Sequence, residues 1–402
     1  MEVNQEARIK RDFFLFMLAG VFMGLYSGLY DPSFNNYLND TFHISEVARG
    51  GLEFPREMPG FLVVFTTGLL IFLPDVRIAL VAGLVLSLGL FGQGLLSPTF
   101  SWVVIWMITW SIGSHLYMPL ESSIGVSLSK PAEVGKRLGQ LGAVKTAASV
   151  LGFLLVWVGF RYLHMTYKLI FTLAGLSVLA ACVCLLMMQP RKSTVKRQRF
   201  LFKRKYLLFY WLNVLFGARK QVFLTFGPWV LIKIFHQPAT TFALLGIVGT
   251  IAGIAFRALL GKAIDKFGER TVITWESGML VIVCLCYGFA RDIGAGSLAI
   301  WLVFGSYIAD QLLFACNMAR ATYLNKIVDS PDDMTPTLSM GVTIDHLVSM
   351  TVPFFGGLVW AKFGFQYVFL LAAAIALLNL LAALRINVHK VAAATVQSST
   401  GA

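Results

Sequence analysis

The stretch NVLFGARKQVF, residues 213–223, sets Arg219 beside Lys220 inside an otherwise apolar run. Asp310 and Gln311 interrupt a later apolar run, and Asp345 and His346 another. EFPRE, residues 53–57, gathers Glu53, Arg56 and Glu57 around Pro55. An ion in the middle of a bilayer costs at least about 2.5 kcal/mol, so such side chains pair with one another or face water. Two chemistries follow. Arg219 and Lys220 either hold a negative group of a ligand or neutralise carboxylates such as Asp310 and Glu57. Asp310, Asp345, His346 and Glu57 either carry protons, as carboxylates and imidazoles in partly dry cavities do, or close internal salt bridges. Glu53, Arg56 and Glu57 have spacings of three and four and share one helix face. They form either a self-neutralising cluster or a gate that changes partners, and Pro55 is placed to kink their helix.

Other polar residues complete the set. Tyr26, Tyr30, Asp31, Asn35 and Asn36 offer hydrogen-bonding capacity, with Tyr30 a candidate substrate contact and Asp31 a candidate outer gate. Glu121 and Lys145 are of opposite charge and expected to pair, with His115 nearby. Arg320 falls near the inner end of its segment, and Arg257 and Glu276 flank a charged loop described below. Trp102, Trp106 and Trp110 recur every four residues and read as an interfacial or packing stripe. Cys182, Cys184, Cys284, Cys286 and Cys316 all lie in apolar segments and read as buried thiols rather than metal ligands.

These residues must be positioned by membrane-spanning helices. The chain has 402 residues, 57% hydrophobic and only 13% charged, against about 25% charged in soluble domains. Mean hydropathy is +0.74. No Asp, Glu, Lys or Arg occurs over 78–120, 169–189 or 363–384, and about 20 apolar residues cross a bilayer. Twelve spans are expected, near 13–38, 46–73, 77–96, 100–128, 138–160, 167–188, 206–235, 241–262, 270–290, 297–327, 338–361 and 365–386. The polar start, MEVNQEARIKRD, is not followed by a cleavable signal pattern.

Lys and Arg set the orientation. With the N-terminus inside, one face collects Arg8, Lys10, Arg11, Arg77, Lys130, Lys136, Arg137, the run from Arg191 to Lys205, Lys262, Lys266, Arg270, Lys326, Arg385 and Lys390. The other face keeps only Arg49, Arg161, Lys168, Lys233, Arg291 and Lys362. Both termini are therefore expected in the cytoplasm, and the net charge of +13 reads as membrane topology rather than nucleic-acid binding.

QPRKSTVKRQRFLFKRK falls at the midpoint of the chain. It divides the expected organisation into a bundle at 1–189, a basic linker at 190–205, a second bundle at 206–388 and a tail at 389–402. LVWVGF (155–160) recurs as LVWAKF (358–363), and Pro32 corresponds to Pro228, in register with a six-plus-six repeat.

GKAIDKFGER, residues 261–270, is the most specific motif. Gly261, Asp265, Lys266, Gly268 and Arg270 follow G-x-x-x-D-[RK]-x-G-x-R. This resembles the signature loop of the major facilitator superfamily in its second-half copy. The resemblance implies an all-α membrane fold of two pseudo-symmetric six-helix bundles, with spans 1, 4, 7 and 10 lining the cavity. It also implies a latch role for the loop, with Asp265 facing the start of span 5 near Leu138–Gly142, a favourable charge–dipole contact. The first-half copy, IFLPDVRIAL (71–80), keeps Asp75 and Arg77 but lacks both glycines and has Val76 where a basic residue is usual. Span 5, reading SVLGFLLVW, lacks the Gly-Pro pair of the family's drug–proton antiporters.

The expected function is secondary active transport of a small polar, anionic or zwitterionic solute by rocking bundles, coupled to protons. Arg56, Glu57, Arg219, Lys220, Asp310, Gln311 and Tyr30 are the candidate substrate contacts. Asp310, Asp345, His346 and Glu57 are the candidate proton carriers. The rivals are an efflux pump for amphipathic compounds, served by the 33 Phe residues, and a non-transporting receptor or scaffold. No HExxH, GxSxG or P-loop pattern occurs, so no enzyme, cofactor, metal or nucleic acid is expected. The expected partners are a small solute, the lipid bilayer and protons. The expected state is a monomer in the cytoplasmic (inner) membrane.

Overall fold

The computed structural model describes residues 2–69, 73–130, 133–190, 202–294 and 296–387, and every regular element among them is helical. Helices α1 (Glu2–Phe42), α2 (Glu46–Gly51), α3 (Glu53–Leu69), α4 (Asp75–Leu95), α5 (Phe100–Ser127), α6 (Val134–Tyr162) and α7 (Tyr167–Met187) precede the midpoint. Helices α8 (Leu207–Lys233), α9 (Ala239–Gly288), α10 (Ala290–Ile293), α11 (Ser297–Leu313), α12 (Asn317–Ile327), α13 (Pro331–Phe363) and α14 (Phe365–Ala383) follow it. In hydrocarbon, backbone groups must bond within the segment, which is why uncharged runs become long helices. Among the described residues, nine helices are long and apolar enough to cross a membrane.

Two differences from the expected spans have local causes. Span 2 is interrupted at Leu52, between α2 and α3, three residues before Pro55. Pro55 has no N–H for the carbonyl of Gly51, four residues back, so the ladder fails on that turn. Spans 8 and 9 are joined in α9, with helical backbone up to Phe267 and Gly268 at φ 77° as the single non-helical residue. That left-handed geometry suits glycine, so one residue makes the bend where a longer loop was expected.

The helices group into two units. Unit 1 contains residues 1–44, 55–197 and 236–250, and unit 2 contains 45–54, 198–235 and 251–402. The units therefore exchange two short segments relative to the two halves of the sequence. In unit 1, α1 packs on α6 and α7, and α4 packs on α5 and α7. Side-chain hydroxyls tie these helices: Ser177 donates to the carbonyl of Phe22 (2.7 Å) and Ser87 to that of Gly175 (3.0 Å).

In unit 2, α8 is packed by α13, α14 and α2. It is buried along nearly its whole length from Leu215 to Ile232. Pro228 is accommodated within α8 and Pro32 within α1. LVWVGF lies near the end of α6 and LVWAKF at the end of α13.

The end of the midpoint linker is fastened inside unit 2. Lys203 pairs with Asp333 at 2.6 Å and Lys205 with Asp329. The fully buried Tyr206 donates its hydroxyl to Asp333 (2.7 Å) and accepts from the Asp329 amide (3.1 Å). Hydrogen bonds from Lys205 and Lys203 hold the Asp329 and Asp333 carboxyls below the usual range. Residues 191–201 of the expected linker, 388–402 including the expected tail, and Ile71 and Phe72 of the first-half motif lie outside the described residues.

Candidate functional site

The buried course of α8 dictates what its two cations do. Adjacent residues on a helix point about 100° apart, so Arg219 and Lys220 reach different neighbours. The Arg219 Nη1 pairs with Asp310 of α11, and the Lys220 Nζ with Asp345 of α13. Arg219 is 2% exposed, and its Nε and Nη2 are buried with no hydrogen-bond partner among the described residues. The Oδ1 of Asp345 is likewise buried without a partner. Gly217 is needed for this approach: a Cβ there would lie 2.3 Å from Asp345 Oδ1. Gln311 is exposed and His346 half-buried.

A third pair lies nearby in the same unit. Arg320 grips Glu276 through both terminal nitrogens, at 3.3 and 2.9 Å, with the side chains 1% and 0% exposed. The guanidinium carbon of Arg320 stands 4.3 Å from the centre of the Phe216 ring. Glu276, expected to serve the charged loop, is thus committed to Arg320.

The EFPRE cluster is divided between the two units. Glu53 belongs to unit 2, where it is fully buried, pairs with Arg49 at 2.6 Å and accepts from Gln221 of α8 at 2.8 Å. Arg56 and Glu57 belong to unit 1 and pair with each other at 2.9 Å. His115 Nε2 lies 3.8 Å from Glu57, and the Ser111 hydroxyl donates to the Arg56 carbonyl. All three lie on α3, and each meets the partners of its own unit.

Elsewhere in unit 1, Lys145 meets Glu121 at 2.8 and 3.0 Å, as their charges led one to expect. Asp31 is exposed and accepts from Ser27 at 2.6 Å. Tyr30 is 3% exposed, donates to Gln93 (3.1 Å) and stacks on Phe34 and Trp110. Trp110 is buried and donates to Tyr26 at 2.8 Å, whereas Trp102 is 45% exposed.

The signature-like loop lies at the bend in α9. Asp265, Lys266 and Arg270 are exposed, and Gly261 and Gly268 half-buried. Between them Glu269 is only 2% exposed and pairs with Lys326 of α12 at 2.7 Å. In the first half, Asp75 opens α4 and accepts from Ser123, and Arg77 donates to the Leu186 carbonyl at 3.1 Å.

Sequence comparison decides the family. The profile of the Major Facilitator Superfamily matches residues 60–337. The chain belongs to the Major Facilitator Superfamily. No curated protein matches it. Solved structures of Major Facilitator Superfamily transporters share its fold at low identity. A mutant form of the nucleoside transporter NupG aligns with TM-score 0.77 at 14% identity, over 93% of this chain and 99% of that one. The inward-open xylose transporter XylE from E. coli gives 0.69 at 15%, over 94% and 96%. A bacterial homologue of the human lysosomal transporter Spinster, inward-facing and unoccupied, gives 0.66 at 15%, over 94% and 96%. Membership makes this Major Facilitator Superfamily chain a multi-pass integral membrane protein and a secondary transporter of a small molecule.

Three partners were not legible in the sequence. Gln221 holds Glu53, Lys326 holds Glu269, and Glu276 holds Arg320. Each pair spans separate helices, so no spacing rule could have found it. The one available signal was the presence of a lone charge in an apolar segment.

Proposed function

We propose that this transporter carries a small polar solute bearing an anionic or zwitterionic group, coupled to protons. Arg219 carries the reading: a buried guanidinium with one nitrogen on Asp310 and two without partners among the described residues. Buried unmet donors cost about 1–3 kcal/mol, and a carboxylate or phosphate would meet them bidentately. Protonating Asp310 weakens its hold on Arg219 and frees the cation for substrate. Lys220 with Asp345 repeats the arrangement on the next face of α8. Glu57 and His346 are further candidate proton carriers, and Arg56 and Gln311 further substrate contacts. Tyr30 is the weakest contact candidate, because its ring and hydroxyl are already engaged.

Twelve spans, both termini in the cytoplasm, a monomer and the cytoplasmic membrane complete the reading. Turnover then proceeds by alternating access, with Asp265, Lys266, Arg270 and the two glycines as the latch.

A second reading is a neutral polar solute. The pairing of each α8 cation with its own carboxylate favours it. Proteins of the same fold are titled nucleoside transporter and D-xylose–proton symporter.

The test is flux in proteoliposomes, with and without a pH gradient, for organic anions, zwitterions, nucleosides, sugars and cationic dyes. Uptake of one anion or zwitterion class, driven by the gradient and lost in Asp310→Asn, is the expected result. Nucleoside or sugar flux selects the second reading. Flux of unrelated dyes points to an efflux pump, and saturable binding without flux to a receptor.

A further inference from the structure

Away from these ion pairs, unit 1 holds a cavity of about 850 Å³ where the ends of four helices meet. The end of α4, the start of α5, the start of α7 and the late part of α1 all contribute to it. Its residues are of three kinds. Lys168, Thr166 and Thr41 line it and are exposed, and so form its rim. Thr166 caps α7, accepting from the Leu169 amide at 3.3 Å, so the amide end of a 21-residue helix and a lysine share this rim. Both favour a negative group. The Asp40 carboxylate accepts the hydroxyl of Tyr167, a lining residue, at 2.5 Å.

Gln93, near the end of α4, also lines the cavity and is 1% exposed. Its Oε1 accepts from Tyr30 and its backbone carbonyl from Tyr37, but its Nε2 is buried with no partner among the described residues. The remaining wall is apolar and aromatic. Trp102 and Trp106 stack at 6.4 Å, the Trp106 Nε1 is spent on the Leu96 carbonyl, and Leu95 and Leu96 are half exposed. Exposed indoles at a helix end are the mark of the bilayer interface.

We propose that this cavity binds a glycerophospholipid with an anionic headgroup. Its phosphate would sit against Lys168 and the start of α7. An ester carbonyl, one step down the lipid, would accept from Gln93. An acyl chain would lie along Trp102 and Trp106. A cationic rim, a buried hydrogen-bond donor and an apolar indole wall in one cavity match the three kinds of group such a lipid presents. A free anion would use only the rim, and an apolar molecule only the wall. The inference rests on the chain's being a membrane protein and not on the solute carried.

The experiment is native mass spectrometry of the detergent-purified chain titrated with phosphatidylglycerol, phosphatidylcholine or inorganic phosphate. The wild type should retain phosphatidylglycerol in preference to phosphatidylcholine. Lys168→Glu should weaken phosphatidylglycerol by roughly fivefold or more, the worth of one lysine near an anionic surface, while Lys168→Arg should retain it. Lys168 is exposed, so both variants should fold, with circular dichroism as the check. Independently, phosphatidylglycerol brominated on its acyl chains should quench wild-type tryptophan fluorescence more than it quenches Trp102→Phe/Trp106→Phe. Equal retention of both lipids, an unchanged Lys168→Glu, or displacement of the lipid by inorganic phosphate would overturn the proposal. So would equal quenching in the tryptophan variant.

Discussion

The deepest ion pairs of the two units differ in burial. In unit 2, the Arg49–Glu53 and Arg320–Glu276 side chains are at most 5% exposed, and Arg219 is 2% exposed. In unit 1, Lys145 and Glu121 are 36% and 17% exposed, and Arg56 and Glu57 22% and 11%. Asp31 there is exposed with a serine for its neighbour. A buried pair owes its stability to both partners being present, since a lone buried ion costs far more than the pair gives. A part-exposed pair has water as a fallback and is worth little. Unit 2 is therefore the place where moving one proton has a large structural consequence, and unit 1 the place where charges can change partners cheaply.

The comparison can be broken most directly at Glu276. Glu276→Ala leaves Arg320 buried and unpaired, and should cost about 3–5 kcal/mol in an unfolding equilibrium in mixed micelles. Replacing both, as Glu276→Leu with Arg320→Met, should recover most of that loss. If the single variant is as stable as wild type, burial is not what distinguishes unit 2.

Gly217→Ala should be the next largest. Its methyl would collide with Asp345, and overpacking of this kind costs about 1–3 kcal/mol. The Lys220–Asp345 pair should part, so flux should fall even at temperatures where the variant is fully folded. Retained flux would argue that this pair is not part of the transport cycle.

Lys145→Ala in unit 1 should change stability by less than about 1 kcal/mol. A loss comparable to that of Glu276→Ala would erase the contrast between the units.

The smallest effect concerns acid. The carboxyls of Asp329 and Asp333 are held below their ordinary range by Lys205 and Lys203. Their contribution is complete above the ordinary carboxylate range, near pH 4, and is lost as pH falls through the depressed values. Protection of the 202–206 backbone against hydrogen exchange should thus weaken only as pH falls below about 4, and Asp333→Asn should show the weakened protection already at neutral pH. An acid-independent exchange profile would show that Tyr206 alone anchors the linker.

Much of this was determined by the sequence alone. Uncharged runs longer than a bilayer's width could only be helices, because hydrocarbon leaves the backbone no other partner. The charge pattern of GKAIDKFGER identified the family, whereas only the structure confined the bend to Gly268. The pairing of Glu121 with Lys145 followed from opposite charges in neighbouring helices. The partners of the remaining charges were decided by the tertiary structure. Glu53, Arg56 and Glu57 share one helix, yet Glu53 found Arg49 and Gln221 in one unit while Arg56 and Glu57 paired in the other. Arg219 and Lys220 were legible as a cationic pair, but which carboxylate each would meet depended on how α11 and α13 pack around α8. A one-dimensional pattern states the cost of an intramembrane charge, whereas the packing of helices distant in sequence chooses the group that meets it.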